Sequence, residues 1–102
     1  MTVSLFDSVQ LGELALANRI AMAPLTRNRA VNNIPSELTA TYYAQRASAG
    51  LLISEGTPVS QQGQGYADVP GLYLPAQVEG WKRVTAQVHA AGEIGRASCR
   101  ER

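Results

Sequence analysis

Two short, nearly continuous apolar runs set the limits on how this chain can fold. The first is "IAMAPL", residues 20–25, and the second is "LLISEG", residues 51–56. Runs without polar alternation suit strands buried on both faces, as in parallel sheets. Each run leads through a loop into a helical segment. After the first comes the polar stretch "RNRAVNNIP", residues 27–35, whose Asn32, Asn33 and Pro35 read as a loop. A helix is expected over residues 36–49, with Ser36 as N-cap, Glu37 in the first turn and Gly50 as a left-handed stop. Leu38, Tyr42 and Ala49 recur along it at near-helical spacing. After the second run, residues 57–73 hold three glycines and two prolines with no sustained period. Loops of that length in compact domains often carry function. A second helix is expected over residues 75–91, opened by Pro75 and stopped by Gly92. Its apolar face is read as Val78, Trp81, Val84, Thr85 and Val88.

Upstream, residues 4–19 alternate around the turn-like "LGE" and predict a short hairpin. The order is therefore hairpin, strand, helix, strand, long loop, helix. Strands alternating with helices imply parallel βα units. In such units the loops after the strands carry the chemistry, so residues 24–29 and 56–73 belong to one rim.

Composition excludes several classes. The net charge of +1 gives no electrostatic pull toward nucleic acid or an acidic membrane surface. No window approaches the ~18 apolar residues that span a bilayer. The N-terminus has no basic segment followed by an apolar core. Cys99 is the one cysteine, so an intramolecular disulfide is impossible. His89 stands apart from any cysteine or carboxylate cluster, so no metal site is expected. The glycines of "GQGYADVPG" follow no strand-to-helix turn and do not form a dinucleotide fingerprint. A cytoplasmic protein is the simplest expectation.

The last ten residues, "EIGRASCRER", interrupt the alternation where a third strand is due. Half of them are charged and no apolar run appears. From Ile94 onward they match, codon by codon, a translation of a common sequencing adapter. The expectation is one unit over residues 1–92 and a non-native, disordered tail over 93–102.

"NRIAMAPLTRNRA", "YYAQRASAGLLISEGTPVSQQGQGYADVPGLY" and "WKRVTAQVHAAG" together resemble the start of the old yellow enzyme family, most closely its N-ethylmaleimide reductase and ene-reductase branch. The resemblance covers nearly all of residues 4–92 in order and spacing. It implies an α/β fold, specifically the N-terminal hairpin plus the first two βα units of an incomplete (β/α)₈ TIM barrel. A whole barrel takes about 250 residues. It also implies FMN as cofactor, NAD(P)H as reductant, and reduction of activated C=C bonds in enones, enals, maleimides and sometimes nitro compounds.

The same resemblance assigns the residues. Ala23, Pro24, Leu25, Thr26 and Gly56 would hold the flavin, with the Thr26 hydroxyl donating to its C4 carbonyl. Tyr66 would line the substrate mouth. None of the family's catalytic residues falls in this segment. Read without the resemblance, Thr26 serves equally as a turn cap, Pro24 as a strand end, Gly56 as a turn glycine and Tyr66 as loop packing. Arg27 and Arg29 could attract a cofactor phosphate or pair with Glu37. Glu55 is an odd charge ending an apolar run, with two possible settings: pairing within the barrel, or the rim. Trp81 reads as core. The chain alone is expected to be marginally folded and to bind FMN weakly. A small stand-alone α/β binding module is the alternative.

Overall fold

The computed structural model describes residues 2–91 and the backbone of residues 94–100. Strands β1 (Val9–Leu11) and β2 (Leu14–Leu16) pair antiparallel across a two-residue turn. Gly12 supplies the positive φ of +60° that this tight turn requires. The chain then enters β3 (Ala21–Met22), passes a 3₁₀ turn at Val31–Asn33, and forms α1 (Glu37–Ala44). It returns as β4 (Leu51–Pro58), runs through a long loop into α2 (Pro75–Ala90), and comes back as β5 (Ile94–Arg100). The three-stranded sheet is parallel in the order β3-β4-β5. This is the βα alternation expected from the two apolar runs.

Local chemistry explains the element ends. Ser36 Oγ accepts from the Thr39 N–H, and Thr39 Oγ1 accepts from the Ser36 N–H, a reciprocal box that starts α1. Helix α1 is shorter than the expected residues 36–49. Beyond Ala44 the hydrogen bonds tighten to three-residue spacing, Arg46 to Tyr43 and Ala49 to Arg46. Gly50 does not take the left-handed conformation predicted for it, since among the described glycines only Gly12 has positive φ. It is needed for close approach instead, because a Cβ there would run into the Asn18 carbonyl. Gly92, expected to end α2, lies outside the described residues.

The core is Ala40 and Tyr43 from α1, Leu52 from β4, and Val84 and Val88 from α2, with Met22, Tyr42, Ala49 and Trp81 packed around it. Both helix faces are rotated from those read in the sequence. In α1 the buried residues are Thr39, Ala40 and Tyr43, while Leu38 is 79% exposed. In α2 they are Gln77, Gly80, Val84 and Val88, while Val78 and Thr85 face outward. The cause is close contact at glycine. A Cβ on Gly80 would strike Pro35, so α2 packs along Gln77, Gly80, Val84 and Val88, keeping two of the expected valines and turning Val78 outward. Trp81 sits at the margin of the core and donates its indole N–H to the Gly71 carbonyl at 3.0 Å.

Two further expectations are corrected. The run at residues 20–25 is not buried on both faces: Ile20 is 41% and Leu25 60% exposed. Among the described residues β3 has β4 as its one strand neighbour, and no strand pairs its other edge. The segment 93–102 was expected to be disordered, yet Ile94–Arg100 lies along β4 as a parallel strand. Parallel pairing uses backbone groups, and an unpaired edge accepts any extended chain delivered to it. Pairing of this kind is indifferent to the origin of the residues. Glu93, Glu101 and Arg102 lie outside the described residues.

Candidate functional site

The candidate seat is built from the carboxyl ends of β3 and β4. Ala21 pairs with Leu51 and Met22 with Leu52 in parallel register. Four residues on from Met22 is Thr26, and four on from Leu52 is Gly56. Both expected flavin contacts therefore lie toward the carboxyl ends of adjoining parallel strands, Thr26 beyond the last paired residue of β3 and Gly56 within β4. Ala23, Pro24 and Leu25 are exposed, while Thr26 and Gly56 are half-buried. No hydrogen bond joins the Thr26 hydroxyl to another described residue.

The loops above these strand ends are stitched together. Asn28 Nδ2 donates to the Ala67 carbonyl at 2.6 Å, the Ala30 N–H to the Asp68 carbonyl at 2.8 Å, and Asn33 Nδ2 to the Val69 carbonyl at 2.9 Å. Asn28, Asn32, Asn33 and Asp68 all hold positive φ near 54–60°. Asn and Asp tolerate that conformation better than other side-chain-bearing residues. The stitching holds the chain beside Tyr66, which is 48% exposed, through the Asn28 contact at Ala67.

Beneath the seat lies an ionic contact. Arg27 Nη2 and Nε donate to Glu55 Oε2 at 3.3 and 3.4 Å. The Tyr43 hydroxyl donates to the same oxygen at 2.8 Å and accepts from the Glu55 N–H at 2.9 Å. Arg27 also stacks 3.7 Å from the Tyr42 ring centroid, and Arg46 covers that ring at 3.8 Å. Arg27 therefore pairs with Glu55, not with Glu37, and is not free for a cofactor phosphate. Arg29 turns back to the carbonyls of Arg27 and Asn28. Glu55 is settled too: it is 1% exposed and paired inside the fold.

A family model described as NADH:flavin oxidoreductase / NADH oxidase matches residues 4–94. The chain belongs to that family. It is 52% identical over 91 residues to a chanoclavine-I aldehyde reductase of Penicillium roqueforti, covering 86% of this chain and 25% of that protein. The old yellow enzyme homologue of Zymomonas mobilis superposes with TM-score 0.93 at 50% identity, covering 97% of this chain and 28% of that one. Morphinone reductase in complex with tetrahydroNAD gives 0.95 at 46% identity, with 98% and 28% covered. The chain spans about a quarter of the length of the curated relatives it matches.

Within this flavin oxidoreductase segment, two sets of residues were missed by reading the sequence. Tyr43 and its link to Glu55 is one, and the single signal was the lone carboxylate at the end of an apolar run. Asn18 is the other. Its Oδ1 accepts from the Ile20 and Gly50 N–H groups at 3.0 and 2.7 Å, and its Nδ2 donates to the Ser48 carbonyl at 2.8 Å. This latch sets the amino ends of β3 and β4 in register. A groove of about 830 Å³ runs along the open edge of β3 against α1, lined by Phe6, Ile20, Met22, Tyr42 and Arg46 among others. It includes Ala23 and Leu25 but not Pro24, Thr26 or Gly56, so it gathers two of the five expected flavin contacts. Among the described residues no cluster of three His, Cys, Asp or Glu could hold a metal, and no helix is long and apolar enough to cross a membrane.

Burial pushes the Tyr43 phenol well above its usual range, and the Glu55 carboxylate adds to the effect. The folded state thus holds the phenolic proton more tightly than the unfolded chain does. That stabilisation is complete below the unfolded value of about 10 and is lost as pH climbs above it. Stability is expected to fall between pH 10 and 11, and Tyr43→Phe is expected to flatten that limb. Denaturant midpoints at pH 9, 10 and 11 for both proteins check it. Parallel curves would remove Tyr43 as the cause.

Proposed function

We propose that this chain supplies the flavin-seating start of an FMN-dependent NAD(P)H oxidoreductase that reduces activated C=C bonds of small conjugated carbonyl compounds, maleimides and nitro compounds in the cytoplasm. The observation that supports the reading is the parallel pairing of β3 with β4, toward whose carboxyl ends Thr26 and Gly56 both lie. The residues suit the group. Gly56 has no side chain to obstruct a flat ring, Pro24 fixes the approach without an N–H, and the Thr26 hydroxyl is available to donate. FMN, when bound, would supply hydride transfer between the nicotinamide and the alkene. The chain's own part is to hold the ring and donate to its C4 carbonyl from Thr26. Tyr66, at the rim, offers an aromatic face and a polar tip to a flat substrate. The names of the relatives, an aldehyde reductase, 12-oxophytodienoate reductases and morphinone reductase, favour carbonyl-bearing substrates. The tetrahydroNAD held by morphinone reductase favours a nicotinamide reductant.

The groove beside β3 fits the same proposal, because a closed barrel needs a further strand on that edge. The stretch 93–102 is proposed to be non-native, a reading supported by a family match that ends at residue 94. Alone, the chain is expected to bind FMN weakly.

The test is to put residues 4–91 in place of the matching segment of the Zymomonas mobilis homologue. A yellow chimaera that oxidises NAD(P)H with an enone or maleimide is expected. A folded but colourless chimaera would refute the seat. In a working chimaera, Thr26→Ala is expected to lower the flavin midpoint potential by about 30–60 mV. That corresponds to roughly 1.5–3 kcal/mol for a hydrogen bond to a group gaining charge. An unchanged potential would remove Thr26 from the tuning role. A colourless chain of residues 1–102 with a cooperative melt would instead favour the stand-alone binding module.

A further inference from the structure

The geometry points to Arg27, Glu55 and Tyr43 as a positioning clamp that sets the spacing and tilt of the two strand ends on which the flavin would sit. The inference rests on the seat proposed above and adds what holds that seat in shape. The backbone does not hold it. The β3–β4 ladder covers Ala21 and Met22, and among the described residues no backbone hydrogen bond ties residues 24–29 to β4. Across that gap the Arg27–Glu55 contact is the direct link. It lies one residue beyond Thr26 and one residue before Gly56, so it grips each contact residue by its chain neighbour.

The anchor on the β4 side is held from several directions. Glu55 Oε2 collects donors from Arg27 and Tyr43, and the Glu55 N–H goes to the Tyr43 hydroxyl. The Glu55 carbonyl accepts from Ser54 Oγ at 3.1 Å and Thr57 Oγ1 at 2.9 Å. The register between β4 and β5 slips here, with one extra residue on β4 between Ile53 and Gly56. Such a bulge re-aims the residues that follow it. Tyr43 carries the anchor into α1, while the Tyr42 ring stops the Arg27 guanidinium from swinging away. Arg27 is the more exposed partner and Glu55 the buried post. An apolar pair would fill the same space without desolvating two charges, so what the ion pair adds is direction. A guanidinium suits this because its rigid fork has a defined plane, which an ammonium lacks. All three act through Thr26 and Gly56 and touch no reacting atom, and a misplacement on the order of 1 Å is enough to impair a preorganised site.

The experiment uses the FMN-loaded chimaera with residues 4–91. Arg27→Met, the milder Arg27→Lys, and Tyr43→Phe are compared with Thr26→Ala for FMN dissociation constant, visible flavin spectrum, midpoint potential and melting temperature. Arg27→Met is expected to weaken FMN about tenfold or more, to shift the flavin bands, and to lower the potential toward that of Thr26→Ala. The Thr26→Ala/Arg27→Met double variant is expected to shift the potential no further than Thr26→Ala alone. Arg27→Lys should keep the flavin and show the same changes in smaller measure, which preserves the test if Arg27→Met does not fold. Variants that lose melting temperature yet keep the dissociation constant, spectrum and potential would overturn the clamp and leave the seat standing. A colourless unsubstituted chimaera overturns the seat and the clamp together.

Discussion

Glu55→Leu is expected to cost about 3–5 kcal/mol of folding stability, the loss typical when one partner of a buried ion pair is removed. The magnitude follows from what stays behind. Arg27 is 16% exposed at its side chain and stacked on Tyr42, so its charge does not escape easily into water. The Tyr43 hydroxyl, buried in the core, loses the acceptor for its proton. The instructive comparison is Arg27→Met/Glu55→Leu, which removes both charges and fills the space with apolar groups. That double variant is expected to recover most of the loss, because neither desolvated charge is then left unpaired. Urea denaturation of the chimaera and its three variants, Glu55→Leu, Arg27→Met and the pair, closes the cycle. A double variant as unstable as the sum of the singles would show that the two side chains do not interact as the distances suggest.

Gly50→Ala is expected to destabilise by about 2–4 kcal/mol. A methyl group there meets the Asn18 backbone carbonyl and lies 2.9 Å from Asn18 Oδ1, and backbone cannot rotate aside as a flexible side chain can. Overpacking of this kind costs roughly 1–3 kcal/mol. Moving Asn18 away also disturbs its bonds to the N–H groups of Gly50 and Ile20 and to the Ser48 carbonyl, at about 1 kcal/mol for each one lost. The contrast is Gly12→Ala. Nothing lies within 4 Å of a Cβ at Gly12, and its positive φ is the whole objection. Denaturant midpoints for both are the measurement. A harmless Gly50→Ala would mean that the latch between the two strand starts yields.

The βα alternation was legible in the sequence for a physical reason. Strand and helix periods, caps and breakers act within a few residues, so the two apolar runs, the Ser36 cap and Pro75 at the start of α2 announce themselves. The match of "NRIAMAPLTRNRA" to a known family extended that reading to candidate flavin contacts. The helix faces were not legible. Leu38 and Val78 look like core by spacing, yet the glycine contact at Pro35 and the Tyr43–Glu55 bond turned the helices so that these residues face out.

What the sequence alone determined is the order of elements through α2 and the family. Tertiary structure alone decided that Glu55 points inward to meet Arg27, that Tyr43 binds it from α1, and that Gly50 serves contact rather than a left-handed turn. Local rules cannot see across the 28 positions that separate Glu55 from Arg27. A buried charge chooses its setting only when folding brings a partner to it, because in low dielectric an unpaired carboxylate has no stable place.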